Sequence, residues 1–236
     1  MVTVSAHVPS HWKVSIEHVG NEQLPVLIID NVLKYAEAVV DHAAQQRFAA
    51  LAPHYPGLRA PAPHDYLAQI MPGILPLLRD VFSYRHGADV KECFYSLLTT
   101  PPEALRPIQR LPHFDGVGDD KVAILHYLSP HESGGTYFYR HRSSGFESVP
   151  NARFQNYRSL ISREADKFGI PKASYPDGDT DMFERFYKID ATFNRLVLYR
   201  GISIHAVGVP EGFDFSDDPR TGRLTVNTFV SPAKSL

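Results

Sequence analysis

The sequence holds little cysteine, little net charge and no long apolar run, and each shortage excludes a class of protein. Its 236 residues include one cysteine, Cys93, so an internal disulfide is impossible and a reducing compartment is favoured. The formal net charge of −2 lacks the positive excess of nucleic-acid binders. No apolar stretch reaches transmembrane length, and the first residues lack the basic start and apolar run of a secretory signal. We therefore expect a cytoplasmic protein with neither a membrane nor a nucleic-acid partner.

The composition is that of a folded globular protein. Apolar residues make up 43% of the chain and charged residues 21%, which excludes intrinsic disorder. The length suffices for one large domain with a sizeable core, and neither a repeat nor a domain boundary is visible. We expect a single domain over residues 1–236, in which a mixed part, 1–89, precedes a β-rich part, 90–236.

The first part is predicted to combine strands, helices and loop. In chain order, we predict strands at 13–18 and 25–30, a helix at 32–46, a loop at 49–63 and helices at 65–71 and 74–83. The dipeptide Pro72-Gly73 separates the last two helices, since both residues disfavour a helix interior. Within the loop, Tyr55 and Arg59 are either solvated side chains or part of a segment that grips a substrate.

Short strands predominate from residue 90 onward. They are predicted at 93–98, 122–128, 136–140, 196–199, 202–207 and 223–230. A helix over 151–168 interrupts them, and a shorter helix is predicted over 180–187, where Asp181 and Glu184 stand at capping-box spacing. We therefore expect a helical insertion at about 142–188 that partly covers the functional site.

A candidate metal-ligand pair lies between these strands. His113 and Asp115 are two residues apart, and in an extended strand such side chains share one face. An imidazole nitrogen and a carboxylate oxygen suit a divalent metal. A third ligand would complete the facial triad of a non-haem iron(II) oxygenase and leave positions open. Taken alone, the pair is weak evidence for a metal site, because His-x-Asp also occurs by chance, as in a turn with a capping Asp and a surface His.

The third ligand must come from a distant strand, and His205 is the best candidate. It follows a predicted strand and directly precedes the apolar pair Ala206-Val207. Three histidines compete with it. His126 lies in an apolar strand, as a hydrogen-bonded core histidine does, while His131 lies in a polar turn. His141 stands between two arginines, whose charges disfavour another cation.

The last predicted strand alternates polar and apolar side chains. Arg223, Thr225 and Asn227 share its polar face, which we expect to look into a barrel rather than at water. The planar fork of arginine binds carboxylates, and an oxygenase that uses 2-oxoglutarate needs such a clamp. We assign Arg223 to this role, with Thr225 as a hydroxyl partner. A solvated Arg223 on an edge strand and a clamp at Arg220, in a predicted turn, remain alternatives.

Four short motifs, taken in order, resemble those of the iron(II)/2-oxoglutarate-dependent dioxygenases, and the prolyl-hydroxylase-like branch is nearest. The motifs are His113-x-Asp115, then His126-Tyr127-Leu128 before Gly134-Gly135-Thr136, then His205-x-Val207, then Gly222-Arg223. The sequence is also similar to an uncharacterised bacterial family of that superfamily. The resemblance covers about residues 90–231. Two departures are Ser129, where the branch has Asn, and a longer segment between the last two motifs.

The resemblance implies a mainly β fold with flanking helices (α+β), built on a double-stranded β-helix (jelly-roll, cupin-like) core. It implies that His113, Asp115 and His205 bind Fe(II). It also implies that Arg223 and Tyr127 bind the distal carboxylate of 2-oxoglutarate. With O2 as the further cosubstrate, hydroxylation of a small molecule, an amino acid or a peptide is the expected reaction. No catalytic residue beyond the metal ligands is expected.

Two other functions stay open. One is a cupin-like metal protein that uses zinc or manganese without 2-oxoglutarate. The other is a non-catalytic β-sandwich binding module in which the histidines are incidental. Tyr139 and Arg140 either contact an aromatic or anionic substrate or form the wet face of a strand. The sequence leaves the substrate and the oligomeric state unspecified.

Overall fold

The computed structural model describes residues 8–234, and the sequence prediction for the first seven residues lies outside this range. Within it, the chain forms ten strands and three α-helices, with four strands in succession after the last helix. The strands are β1 (Lys13–Val19), β2 (Leu24–Asp30), β3 (Gly57–Pro61), β4 (Ala88–Leu98), β5 (Val122–Tyr127), β6 (Gly135–His141), β7 (Phe183–Asp190), β8 (Arg195–Arg200), β9 (His205–Gly208) and β10 (Arg223–Pro232). The helices are α1 (Ala36–Ala43), α2 (His64–Phe82) and α3 (Asn151–Phe168). No helix in the described range has the length and apolar character to cross a membrane.

The strands form two antiparallel sheets. The larger sheet has the order β1-β2-β8-β5-β10-β4-β3, and the smaller has the order β7-β6-β9. Neighbouring strands in both sheets run antiparallel. This mainly β architecture with flanking helices confirms the predicted fold class at that level.

Each face of the larger sheet packs against a different layer, because successive side chains of a strand point to opposite sides. The outer face packs on α2 through Leu27, Ile124, Leu198, Val226, Ile70, Ile74 and Leu77. The inner face packs on the smaller sheet through Leu125, Tyr127, Val197, Tyr199, Phe138 and Ile189. The space between the two sheets is therefore lined by the inner face of β10 and its neighbours.

The polar face of β10 looks into this space. Thr225 pairs with Ser96 of β4 on one side and with Tyr127 of β5 on the other. Two residues away, the buried Arg223 donates from Nε to the Ser133 carbonyl at 2.8 Å and from Nη2 to the carbonyl of the first β6 residue at 3.1 Å. The prediction that this face points inward is confirmed.

One continuous helix, α2, replaces the two helices predicted on either side of Pro72-Gly73. Pro72 is exposed, so water can reach the backbone where the helical hydrogen bond is missing, while Ile70 and Ile74 are buried. Gly73 lies against Trp12, and a Cβ there would stand 2.7 Å from ring atom Cη2. The helix holds a second internal proline, Pro76, and burial of the apolar stripe outweighs the cost of about 3 kcal/mol for each of the two. The predicted break is therefore wrong.

The helix predicted over 180–187 is also wrong, because β7 occupies most of that segment. β7 pairs with β6 from Phe183 opposite His141 onward, and this pairing overrides the local capping-box spacing. The helical insertion predicted at about 142–188 consequently ends where β7 begins. The segment between β6 and β7 spans 142–182 and contains α3.

The predicted loop over 49–63 contains β3, which adds to the edge of the larger sheet. Arg59 lies opposite Ser96 of β4 in this pairing. Proline at the end of an edge strand removes no central ladder hydrogen bond, so the composition misled the prediction. The first helix is shorter than predicted, since Asn31 has a left-handed φ of 60° and α1 begins at Ala36 without a side-chain cap.

Candidate metal centre

The three predicted metal ligands meet at one point beside β9. His205 Nε2 lies 3.7 Å from Asp115 Oδ2, and His113 Nε2 lies 4.0 Å from Asp115 Oδ1. One donor atom from each residue lies within 4.8 Å of the other two. No other trio of His, Cys, Asp or Glu side chains comes this close within residues 8–234. The structure thus brings together all three residues that the sequence singled out.

Backbone hydrogen bonds position this cluster. The amide of His113 donates to the carbonyl of His205 and the amide of His205 to that of His113, both at 2.7 Å. The amide of Asp115 donates to the Gly201 carbonyl, also at 2.7 Å. Phe114, between the two ligands, points the other way onto aromatic rings of α3. Alternation along the chain therefore turns His113 and Asp115 towards His205 before any metal binds.

Both histidines are poised as neutral ligands. Nδ1 of His205 donates to the Ser203 carbonyl at 3.0 Å, which leaves the Nε2 lone pair directed at Asp115. Burial lowers the pKa of His205 to about 4. Desolvation and the neighbouring His205 lower the pKa of His113 to about 4 as well, although 53% of the His113 side chain is exposed. Neutral imidazoles are the form that binds metals.

Asp115 provides the test of whether a cation fits. Its Oδ2 is buried and has no hydrogen-bond partner. Desolvation raises the pKa of Asp115, against the opposing effect of His113, Lys121 and Arg59. A buried carboxylate oxygen without a donor is costly, and a divalent cation would supply the missing partner. Two imidazoles and one carboxylate form the donor set of a non-haem iron(II) site, so the residues present fit that metal.

A buried cation, Arg223, lies between the sheets, and 4% of the residue is exposed. Its hydrogen bonds go to neutral carbonyl groups, and its Cζ lies 5.6 Å from the centre of the Tyr127 ring. It forms no ion pair with any carboxylate in the described part of the chain. A buried cation without a counter-charge is unfavourable, so this position suits an anionic ligand.

The other residues predicted to bind 2-oxoglutarate lie on the inner face of the larger sheet but already have partners. The Tyr127 hydroxyl is hydrogen-bonded to Thr136 at 2.6 Å, and the Thr225 hydroxyl donates to Asn227 at 2.7 Å. Both residues are buried. Arg220, the alternative clamp, lies at the surface and pairs with a carboxylate of α1 at 3.1 Å. Of the two arginines weighed for the clamp, Arg223 is the buried one and Arg220 the exposed one.

The competing histidines have other positions. His126 lies on the outer face of the larger sheet, where its ring bonds the Tyr66 hydroxyl at 3.0 Å and Asn194 at 3.1 Å. This is the hydrogen-bonded core histidine that its strand predicted. His141 is buried and pairs with a glutamate of α3 at 2.8 Å, and His131 is exposed. None of the three joins the cluster.

Tyr139 and Arg140, weighed as substrate contacts, make structural contacts. Arg140 forms ion pairs with Glu147 and Glu184. Tyr139 is buried and packs edge-on against Phe183 of β7, with ring centres 6.4 Å apart.

One polar residue of the inner sheet face, Ser96, is not predicted from the sequence. It is fully buried, and nothing in its local sequence distinguishes it from a core serine. Tyr55 and Arg59 lie beside Ser96. For Arg59 this placement follows from the β3–β4 register, which no local sequence pattern specifies.

The described chain thus combines two packed antiparallel sheets with a His-Asp-His cluster and a buried arginine between the sheets. Residues 10–230 match the family of unknown function DUF6445, and the chain belongs to that family. No curated protein sequence matches the chain.

Solved structures share this fold. HygX from Streptomyces hygroscopicus with nickel and 2-oxoglutarate bound is 14% identical with a TM-score of 0.53, over 92% of this chain and 84% of that one. HygX with iron bound is 15% identical with a TM-score of 0.53, over 92% and 83%. HygX with nickel, 2-oxoglutarate and hygromycin B bound is 13% identical with a TM-score of 0.50, over 88% and 83%. The predicted resemblance to iron- and 2-oxoglutarate-binding proteins is thereby confirmed for the fold.

Proposed function

We propose that the chain is a non-haem iron(II)- and 2-oxoglutarate-dependent oxygenase that hydroxylates a small molecule, an amino acid or a peptide. The observation that carries this proposal is that the site contains a buried carboxylate and a buried guanidinium, neither of which has a partner of opposite charge within hydrogen-bond distance in the described residues. Asp115 has a buried, unpartnered oxygen beside two neutral imidazoles, and Arg223 is a buried cation without a carboxylate. We further propose that the two sheets are those of a double-stranded β-helix within a single domain over 1–236.

The proposed roles follow from these positions. His113, Asp115 and His205 would hold the iron, and Arg223 would bind the distal carboxylate of 2-oxoglutarate. The carbonyl that accepts from Arg223 belongs to Gly135, which pairs with Gly208 at the far end of β9 from His205. Three residues of strand correspond to roughly 10 Å. This spacing is compatible with a short dicarboxylate that extends from the metal ligands to the arginine.

The protein prepares and shields the site. Iron with 2-oxoglutarate and O2 supplies the oxidising chemistry when bound. Nδ1 of His205 keeps its proton on the Ser203 carbonyl and so keeps Nε2 free. The rings of Tyr199 and Phe138 lie 4.9 Å and 6.3 Å from the His205 ring and exclude water from that side. This assignment needs no separate protein acid or base.

Support for the substrate class comes from the fold alone. A structure of HygX holds hygromycin B together with nickel and 2-oxoglutarate, so this fold can bind a small molecule along with the metal and the oxo acid. We therefore place a small molecule ahead of a peptide as the substrate of this chain.

The decisive experiment is an anaerobic titration of metal-free protein with iron(II) and then with 2-oxoglutarate, followed by visible spectroscopy. We expect a weak metal-to-ligand charge-transfer band in the wild type and in His131→Ala, whose exposed histidine is the matched control. His113→Ala should show no band. Bound iron without a band would instead indicate a cupin-like metal protein that does not use 2-oxoglutarate. No bound iron would indicate a binding module.

A further inference from the structure

Three buried polar groups lie together at the β3–β4 edge of the larger sheet. Among residues 8–234, Nε of Arg59 and the hydroxyls of Tyr55 and Ser96 have no partner outside this group, within which the two hydroxyls lie close to each other. Arg59 lies opposite Ser96 in the β3–β4 register, and its Cζ is 4.7 Å from the Tyr55 ring centre and 5.6 Å from that of Phe94. The guanidinium thus contacts two aromatic rings and lies beside two hydroxyl groups.

These groups share the donor chemistry of an anion site. Arg59 forms no ion pair and no side-chain hydrogen bond within residues 8–234, whereas Arg195 has a carboxylate, Asp30, at 2.6 Å. A guanidinium and two hydroxyls together offer several N–H and O–H donors. Buried donors without acceptors are unfavourable, and a carboxylate would satisfy all three.

Along the strand direction, the row of Arg59 lies between the row of Arg223 and the row that leads to the metal ligands. In the inner face of the larger sheet, Arg59, Ser96 and Thr225 form one row across β3, β4 and β10. Arg223 lies two residues away on β10 in one direction. The row of Phe229 lies in the other direction and leads through β5 to Tyr199, the ring beside His205. A carboxylate at Arg59 would therefore lie two strands away from β10, which carries Arg223, while the Tyr55 hydroxyl is within electrostatic reach of both arginines.

We propose that Arg59, Tyr55 and Ser96 form a carboxylate-binding subsite for the primary substrate, which makes that substrate an acidic small molecule. This inference rests on the proposed function, since it reserves Arg223 for 2-oxoglutarate. A carboxylate of 2-oxoglutarate itself is the competing source of the same chemistry.

Matched ligand pairs test the subsite by direct binding. The protein is loaded with nickel(II) and 2-oxoglutarate and titrated with straight-chain monocarboxylates from acetate to octanoate, and with the corresponding primary amides. Binding is measured by the rise in melting temperature, which reports affinity for the folded state. We expect at least one carboxylate to bind the wild type, and its amide to bind roughly tenfold more weakly or worse.

Two variants locate the binding. Arg59→Gln should weaken carboxylate binding by about tenfold or more, because a charged hydrogen-bond donor is lost. Tyr55→Phe, which removes one hydroxyl and keeps the ring under Arg59, should weaken it by about threefold to tenfold. Arg220→Gln, at the exposed arginine that pairs with Asp41, is the matched control and should behave as the wild type.

Several outcomes would overturn the subsite. One is that carboxylates and amides bind the wild type alike, or that no carboxylate of the series binds. Another is that Arg59→Gln responds to carboxylates as the wild type does. If Arg59→Gln weakens the binding of 2-oxoglutarate as strongly as Arg223→Gln does, the carboxylate is that of the cosubstrate and the inference fails. Failure of the proposed function is recognised separately, since wild-type protein would then not bind the metal and 2-oxoglutarate.

Discussion

Asp115 is the side chain whose state depends most on a bound cation. Its Oδ2 is buried without a partner, so the metal-free protein retains a desolvated oxygen. We expect Asp115→Ala to raise the free energy of unfolding of metal-free protein by roughly 1–2 kcal/mol. The same change should abolish the stabilisation by iron(II), measured as melting temperature with and without the metal. Asp119→Ala, at an exposed aspartate, is the control, and equal stabilisation of Asp115→Ala and wild type by iron would contradict the assignment.

Arg223 gives a prediction about the cosubstrate. Arg223→Gln should raise the dissociation constant of 2-oxoglutarate by roughly tenfold or more, because a charge-assisted hydrogen bond is lost. Iron(II) affinity should stay unchanged, because Arg223 bonds the carbonyl of Gly135, which lies opposite Gly208 at the far end of β9 from His205. Anaerobic titration of the charge-transfer band measures both constants, with Arg220→Gln as the control. A loss of iron binding, or equal effects of the two substitutions, would refute the clamp.

Among individual residues, the sequence predicted those whose relative placement follows from positions close together in the chain. The i, i+2 relation of His113 and Asp115 follows from strand geometry, and the alternation of β10 placed Arg223 on its inner face. Ser96 could not be predicted, because its position beside Arg59 and Thr225 depends on the pairing of β4 with its two neighbouring strands. The placement of Arg59 could not be predicted for the same reason, because Ser96, the residue opposite it in the sheet, is distant in sequence.

The helix α2 shows packing competing with propensity. Alanine usually stabilises a helix relative to glycine by up to about 1 kcal/mol. At Gly73, however, a Cβ would stand 2.7 Å from the Trp12 ring, and overpacking costs about 1–3 kcal/mol. We therefore expect Gly73→Ala to lower the free energy of unfolding by about 1–2 kcal/mol in urea denaturation. Pro72→Ala, at the exposed neighbouring position, should be neutral or stabilising, and a stabilising Gly73→Ala would contradict this packing.

Elements with a strong local pattern were predicted well. β2, β5, β8 and α3 match their predicted segments closely because burial and periodicity agree there. The failures at α2, β3 and β7 share a cause. In each, tertiary contacts overrode local signals, which were an internal proline, a proline-rich edge and a capping-box spacing.

Acid stability of the whole molecule should reflect His126. Burial lowers its pKa to about 4, against the opposing effect of the hydrogen bond that its Nε2 donates to Oδ1 of Asn194, while an unfolded histidine titrates near about 6.5. Between these values the unfolded chain binds the proton more readily. The stability present at neutral pH is therefore lost as the pH falls from about 6.5 towards 4.

A substitution isolates this effect. His126→Gln keeps hydrogen-bonding capacity towards Tyr66 and Asn194 but cannot titrate. Between pH 7 and 5 we expect the free energy of unfolding of metal-free wild type to fall by about 2 kcal/mol more than that of the variant. Urea denaturation at both pH values measures the difference. Parallel pH profiles would show that His126 contributes nothing.

The overall architecture was predictable in class and in part of its layout. Short strands after residue 90 and helices before it gave a mainly β fold with flanking helices, and the resemblance identified the right set of solved folds. The contribution of β3 to the large sheet could not be foreseen, because an edge strand has weak periodicity and its pairing partner is far along the chain.

The position of β3 places the residues of the proposed substrate site in a different part of the chain from the residues proposed to bind the metal and 2-oxoglutarate. The metal ligands and Arg223 come from residues 113–223, whereas Arg59 comes from a strand that ends the sheet and pairs with β4. Edge positions tolerate sequence change better than central strands do. If the proposed subsite binds the substrate, substitutions within residues 49–61 would change substrate specificity and leave the proposed metal ligands and Arg223 unchanged. Relatives with the same metal ligands and different residues at this edge would then oxidise different molecules.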